Sequence, residues 1–217
     1  MHVSDGILPL EICVAGYALA IGGAVWCGRK LDTEEVPRMG LLAAAVFVAS
    51  LVNVPIAGVS MHFGLFGLLG LLLGRRSVPV LFAVLILQTF LFQHGGFLSL
   101  GVNVANMASG ALAAMAIGRL SLLPLSLRAG LAGFIGIFVP SSLLLGEFHL
   151  AGYGRSVMLL ASVYALVGLA EGVFTVAVIL FLQRTKPAVL GALVSRVLPA
   201  GESPAAMLAR GVVAKES

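Results

Sequence analysis

Charge in this chain stands between apolar stretches and almost never within them, and that spacing restricts the fold more than any single motif. Successive apolar runs are closed by Arg29-Lys30, Arg38, Arg75-Arg76, Arg119, Arg128 and Arg184 with Lys186. Of the 217 residues, 60% are hydrophobic and 10% charged, where soluble domains carry roughly 25% charged. A run of about 20 apolar residues crosses a bilayer as a helix, because in lipid every backbone amide and carbonyl must find its partner within the segment. The expected fold class is therefore an all-α polytopic membrane protein.

Seven transmembrane helices are expected, about Leu10–Cys27, Met39–Val54, Met61–Gly74, Val78–Phe92, Val102–Ile117, Leu131–Leu145 and Val157–Leu182. The second and third share residues 39–74, about 18 residues per crossing and at the short end for a bilayer. The connection Ile56–Ser60 must then be tight or dip into the protein. Residues 1–186 read as one seven-helix transmembrane metal-binding domain. Residues 187–217 read as a cytoplasmic tail, mildly amphipathic around Ala188–Leu198. Counted by alternate loops, 12 of the 13 Lys and Arg lie on one side and Arg155 alone on the other. Cytoplasmic loops collect such charges, which puts the N-terminus outside and the C-terminus inside. The net charge of +4 is thereby explained without a nucleic-acid partner. Cys13 and Cys27 read as small hydrophobes, with no disulfide framework. The N-terminus lacks the basic n-region of a cleavable signal.

The histidines show the opposite asymmetry: His2, His62, His94 and His149 all fall at the outer ends of spans. His2 follows Met1 directly, so a free amine, the His2 amide once deprotonated and His2 Nδ1 can close fused rings on one ion. Three coplanar nitrogens suit nickel(II), copper(II) or cobalt(II) better than tetrahedral zinc, and leave a fourth corner open. The competing reading is a frayed terminus. His62 is the best candidate for the open corner, since it begins a span after a tight turn. His94, beside Gly95-Gly96, is a candidate for support or a lid, and His149 resembles an ordinary loop residue. Each imidazole alone has a plainer reading as a helix-end group bonded to a carbonyl. The mature protein is expected to keep a free Met1, because a bulky second residue disfavours its removal.

Asn103 and Asn106, three apart on one helical face, could fix imidazole tautomers from behind or bond between helices. Glu171, the one acid deep in a span, is either functional or paired internally, and its partner is not legible. Gly16, Ala20 and Ala24, and likewise Ala45 and Ala49, form small-residue faces that let another helix approach. They are candidates for contact with a coupling subunit, or for packing within the bundle.

Met1-His2-Val3-Ser4-Asp5-Gly6-Ile7-Leu8, then Asn53-Val54-Pro55 with Gly58-Val59-Ser60-Met61-His62, then Gln88 with Leu91-Phe92-Gln93-His94-Gly95-Gly96 and Gly101-Val102-Asn103 with Asn106-Met107, and finally Ala170-Glu171-Gly172 resemble the CbiM/NikM family. Its members are the substrate-binding membrane subunits of energy-coupling-factor transporters for cobalt and nickel. The resemblance implies a planar four-nitrogen site from the amine and amide of Met1-His2, the His2 ring and His62; His94, Asn103, Asn106 and Ser60 are the candidates to support it. It implies an extra N-terminal helix that carries the amino terminus into the protein's centre. It also implies a coupling subunit of CbiQ type, a pair of cytoplasmic ATPases of CbiO type, a small accessory membrane subunit in some systems, and a bacterial or archaeal plasma membrane. Cobalt or nickel is the transported substrate, with no organic cofactor. One departure is Met61, where the family's turn reads Ser-Gly-His. The chain has no GxxxxGK[ST] motif with which to hold ATP, so it reads as a non-ATPase component rather than an enzyme. The rivals are a self-sufficient metal permease or channel and a membrane metalloenzyme. No charged relay or internal repeat supports the first, and no HExxH the second.

Overall fold

Helix is the default for each apolar run because lipid offers no partner to a backbone amide. The computed structural model describes residues 2–56, 59–152 and 157–190; of 53–56, 59–61 and 157 it describes the backbone alone. The helices are α1 (Leu10–Gly28), α2 (Val36–Leu51), α3 (Phe66–Leu73), α4 (Ser77–Phe92), α5 (Leu100–Gly118), α6 (Leu125–Leu150) and α7 (Val157–Thr185). Between α2 and α3 lie two antiparallel strands, β1 (Asn53–Ile56) and β2 (Val59–His62), with Asn53 opposite His62.

The expectation of seven spans does not hold. Among the described residues, five helical stretches are long and apolar enough to cross a membrane: Leu10–Gly28, Phe66–Phe92, Leu100–Gly118, Leu125–Leu150 and Met158–Thr185. At 1.5 Å per residue, the 16 residues of α2 reach about 24 Å, short of the roughly 30 Å hydrocarbon core. The third expected span is consumed differently: β2 takes Val59–His62, and α3 keeps 8 residues. A 3-10 turn, Gly74–Arg76, then leads into α4, with Gly74 at φ 57°. His62 and His94 bracket this α3–α4 stretch with ring centroids 6.0 Å apart, so it doubles back at Gly74–Arg76. The paired strands satisfy each other's backbone groups, which is how irregular chain survives at membrane depth.

The interior is built around α3, in which Phe66, Gly67, Leu68, Leu69, Gly70 and Leu71 are all buried. Gly67 lies against Ala132 and Gly133 of α6 and Gly70 against the Ala111 carbonyl of α5, with no room at either for a Cβ. Such small-residue crossings let backbones approach closely. The same device joins α1 to α5: a Cβ at Gly16 would stand 2.6 Å from the Val102 amide nitrogen. Gly16 and Ala20 are thus buried inside this chain, Ala24 and Ala49 are half-buried, and Ala45 is exposed. Large apolar side chains of α1 and α7, among them Leu19, Val25, Leu166, Leu169 and Val173, are exposed, as lipid contact requires.

Arginines gather at one end and bind helix carbonyls there. Arg76, buried, donates to Cys27 O (2.8 Å), Arg29 O (2.8 Å) and Lys30 O (2.7 Å), and pairs with Glu35 at 2.7 Å. Arg38 donates to Leu72 O and Val189 O, and Arg128 to Gly118 O. The last carbonyls of a helix lack partners and carry partial negative charge, so these guanidinium groups close α1, α3 and α5 together.

Candidate metal centre

The opposite end holds the histidines. His62 closes β2, and His94 follows α4, where the hydroxyl of Thr89 donates to the His94 carbonyl at 3.2 Å. The third ring arrives on the arm that precedes α1. Val3 of this arm is fully buried, packed with Leu8, Cys13, Val102, Leu144, Val163 and Tyr164. Asn103 of α5 grips Val3 twice: its Oδ1 accepts from the Val3 amide at 2.8 Å and its Nδ2 donates to the Val3 carbonyl at 3.0 Å. Ser99 adds a hydroxyl donor to the same carbonyl at 2.7 Å. Asp5 then accepts from the amide and the hydroxyl of Ser99, both at 3.0 Å, at the start of α5, where a carboxylate suits the exposed amides and the dipole. Burial, the largest single influence, pushes the Asp5 carboxyl up. Donors from Ser99, Leu98 and Phe97 together outweigh it and leave the group below its ordinary value.

Gly95 and Gly96 let the arm lie this close. A Cβ at Gly96 would collide with the Asp5 carboxylate. At Gly95, where φ is 77°, a Cβ would meet Asn103 Nδ2 at 2.9 Å and His2 at 3.5 Å.

The result is a cluster of three imidazoles. Ring centroids lie 5.2 Å apart for His2 and His62, 5.2 Å for His2 and His94, and 6.0 Å for His62 and His94. His149 stands apart, exposed in the last turn of α6. Burial first, and then neighbouring positive charge, lowers the His2 imidazole well below its usual range and brings His62 to about 3; the same causes lower His94. All three rings are therefore neutral near pH 7 and keep a lone pair for a cation. Among the described residues His2 Nε2, sealed from solvent, has no hydrogen-bond partner, an arrangement that polar interiors seldom leave standing. His62 Nδ1 lies 3.3 Å from the Phe63 carbonyl. With the proton on Nδ1, that contact leaves Nε2 as the donor atom, the usual way a backbone carbonyl orients a ligating ring. Among the described residues no three His, Cys, Asp or Glu side chains suffice as a metal cage, so an ion here needs further donors. Met1, the sequence's candidate for them, lies outside the described residues, as do the side chains of Ser60 and Met61.

Asn103 and Asn106, paired by spacing, part company in the structure. Asn103 holds the arm one residue from His2, whereas Asn106 Nδ2 donates to Glu147 of α6 at 2.9 and 3.1 Å. Two residues that the sequence offers only as part of the resemblance, with no role of their own, also take part. Asp5 is one, and Gln88 the other: buried in α4, it donates to Ser50 of α2 and engages the His2 ring. An amide within the apolar run Val78–Phe92 was the signal for Gln88. Glu171 finds its partners in the backbone amides of Gly64 and Leu65, just beyond His62.

Comparison with known proteins agrees with this architecture. The family model described as the CbiM cobalt uptake substrate-specific transmembrane region matches residues 2–189. A Haemophilus influenzae protein ascribed to metal transport is 36% identical over 199 residues, covering 88% of this chain and 97% of its own length. An Archaeoglobus fulgidus protein ascribed as a fused nickel transport protein, NikMN, is 34% identical over 203 residues, 88% of this chain and 68% of that one. Among solved structures, the crystal structure of a transition metal transporter superposes with a TM-score of 0.75 at 27% identity, covering 85% of this chain and 93% of that one. With apolar helices that can cross a bilayer and a family match that runs from the arm past the end of α7, this multi-pass membrane protein belongs to the CbiM family of cobalt and nickel transport.

Proposed function

We propose that this chain is the substrate-capturing subunit of an ATP-driven uptake system, and that it takes cobalt or nickel from the outer face. The ion would be held by the amine of Met1, the amide and ring of His2 and the ring of His62, with His94 beside them. The observation that carries this reading is the convergence of three neutral imidazoles, with a sealed His2 ring nitrogen that has no hydrogen-bond partner among the described residues. A borderline divalent ion preferring planar nitrogen donors suits that set. Asn103, Ser99 and Asp5 do the positioning, and Gly95-Gly96 gives the arm room to dock.

Energy would come from other chains, a membrane coupling subunit of CbiQ type and two ATPases of CbiO type. A small accessory subunit fits as well, since the Archaeoglobus relative is ascribed as a fusion and is longer than the region aligned here. Release would follow when the arm and the His62 strand are displaced relative to each other, because a planar set loses affinity once one corner leaves.

The test is cobalt and nickel binding to the purified chain with its own N-terminus and with one alanine added before Met1. The added residue moves the free amine away from the His2 chelate, so binding should collapse. Equal binding by both forms would refute the amino-terminal site.

A further inference from the structure

Glu171 is fully buried in the middle of α7, where an ionisable group is costly unless it is well bonded. Its described donors are backbone amides: Gly64 N to Oε1, and Leu65 N to both oxygens at 3.0 Å. These amides open α3, with Leu65 in the left-handed region at φ 52°, and a carboxylate suits a helix start. Capping alone, however, does not account for where this grip falls. The Gly64 amide belongs to the peptide unit whose carbonyl is that of Phe63, and the Phe63 carbonyl is the group facing His62 Nδ1. A peptide unit is planar and stiff. Glu171 therefore holds one end of a rigid plate, and the His62 imidazole rests on the other.

We propose that Glu171 is a positioning residue for His62: through the Phe63–Gly64 peptide it sets the ring's orientation and tautomer, so that metal affinity depends on an α7 side chain that is not itself a ligand. The inference rests on the metal-binding role given to His62 above. It makes α7 a mechanical input to the site, since any shift of α7 against α3 tilts the plate beneath the imidazole. Accepting at the amide end also polarises the carbonyl end, which strengthens its hold on a ring N–H.

The experiment is a double-mutant cycle on the full-length purified protein, reading nickel affinity by competition with a chelator. The forms compared are the parent, Glu171→Gln, His62→Ala and the double variant. Glutamine keeps the size but replaces one acceptor oxygen with a donor. Glu171→Gln should weaken binding by roughly 10- to 100-fold, as loss of a ligand's supporting partner does, and should alter the nickel ligand-field absorption. In the His62→Ala background the same substitution should change affinity by no more than about twofold, since the ring it serves is gone. Parent-like affinity for Glu171→Gln overturns the inference, as does an equal loss in both backgrounds, which would make Glu171 a cap for α3 and nothing more. If His62→Ala weakens binding and Glu171→Gln does not, the positioning role alone falls. If His62→Ala binds like the parent, the ligand assignment falls with it. Should the glutamine variant fail to fold, Glu171→Asp, which keeps both acceptor oxygens on a shorter stem, carries the same cycle and the same criteria.

Discussion

Replacing Asn103 with alanine should cripple metal binding, while replacing Asn106, one helical turn away, should not. Asn103→Ala removes the described acceptor of the Val3 amide at 2.8 Å and one of two donors to the Val3 carbonyl, leaving Ser99 at 2.7 Å on the latter. Val3 has no exposed surface and Asn103 is 2% exposed, so water has little access to the vacated positions. A buried donor left without a partner costs about 1–3 kcal/mol, and the carbonyl, still held by Ser99, adds little. This cost falls on the docked arm, which brings His2 to the other two imidazoles. At 1.4 kcal/mol per tenfold, metal binding that requires the docked arm weakens by roughly 5- to 150-fold. Asn106→Ala frees Glu147 instead and should leave affinity within about twofold. Chelator competition with nickel on both variants measures the effect, alongside thermal unfolding of the metal-free proteins. Parent-like binding by Asn103→Ala, or an equal loss for the two variants, would refute the reading that the docked arm delivers His2 to the site.

Acid should weaken the fold through His62. The folded protein holds its imidazole at about 3 against an ordinary 6.5, so the folded state favours the neutral ring. The resulting stability is complete above about pH 6.5 and is lost as pH falls toward about 3. Melting of the metal-free protein should fall between about pH 7 and pH 4, less steeply in His62→Ala, and a parent profile no steeper than the variant's would contradict this. Metal affinity should also fall as the solution is acidified, because the proposed Met1 amine and His2 amide bind a metal only once deprotonated, whereas the rings are already neutral. At the other end, Arg76→Leu strips three helix-end carbonyls of a charged donor and should cost roughly 3 kcal/mol or more in stability. Metal affinity of the folded fraction should be unchanged, and a large loss of affinity without a drop in melting temperature would show that the two ends are coupled in some other way.

Much of the candidate site was legible because its chemistry is written in residue type. An imidazole next to Met1, and three more at span ends away from the basic loops, mark His2, His62, His94 and His149, of which His149 stands apart. The other three rings converge. The pairing of Asn103 with Asn106 was less informative, since spacing places two side chains on one face but does not say what stands opposite. The arm met Asn103 and α6 met Asn106. Glu171 was visible as an anomaly, but its partners lie 106 and 107 positions away, beyond the reach of any local pattern.

Hydropathy and charge, which are local properties summed along the chain, determined by themselves that this is a helical membrane protein with its arginines at one end and its histidines at the other. They could not count the crossings. An apolar run reports how much lipid-compatible chain there is, not the path it takes. Asn53–Ile56 and Val59–His62 pair as strands instead, because backbone groups can be satisfied between neighbouring strands as well as along a helix. Gly74, with its positive φ, then sends α4 back toward His62. Tertiary packing alone decided that turn, the docking of the arm and the grip of Glu171 on the Gly64 and Leu65 amides, since each depends on which distant surface supplies the missing hydrogen-bond partner.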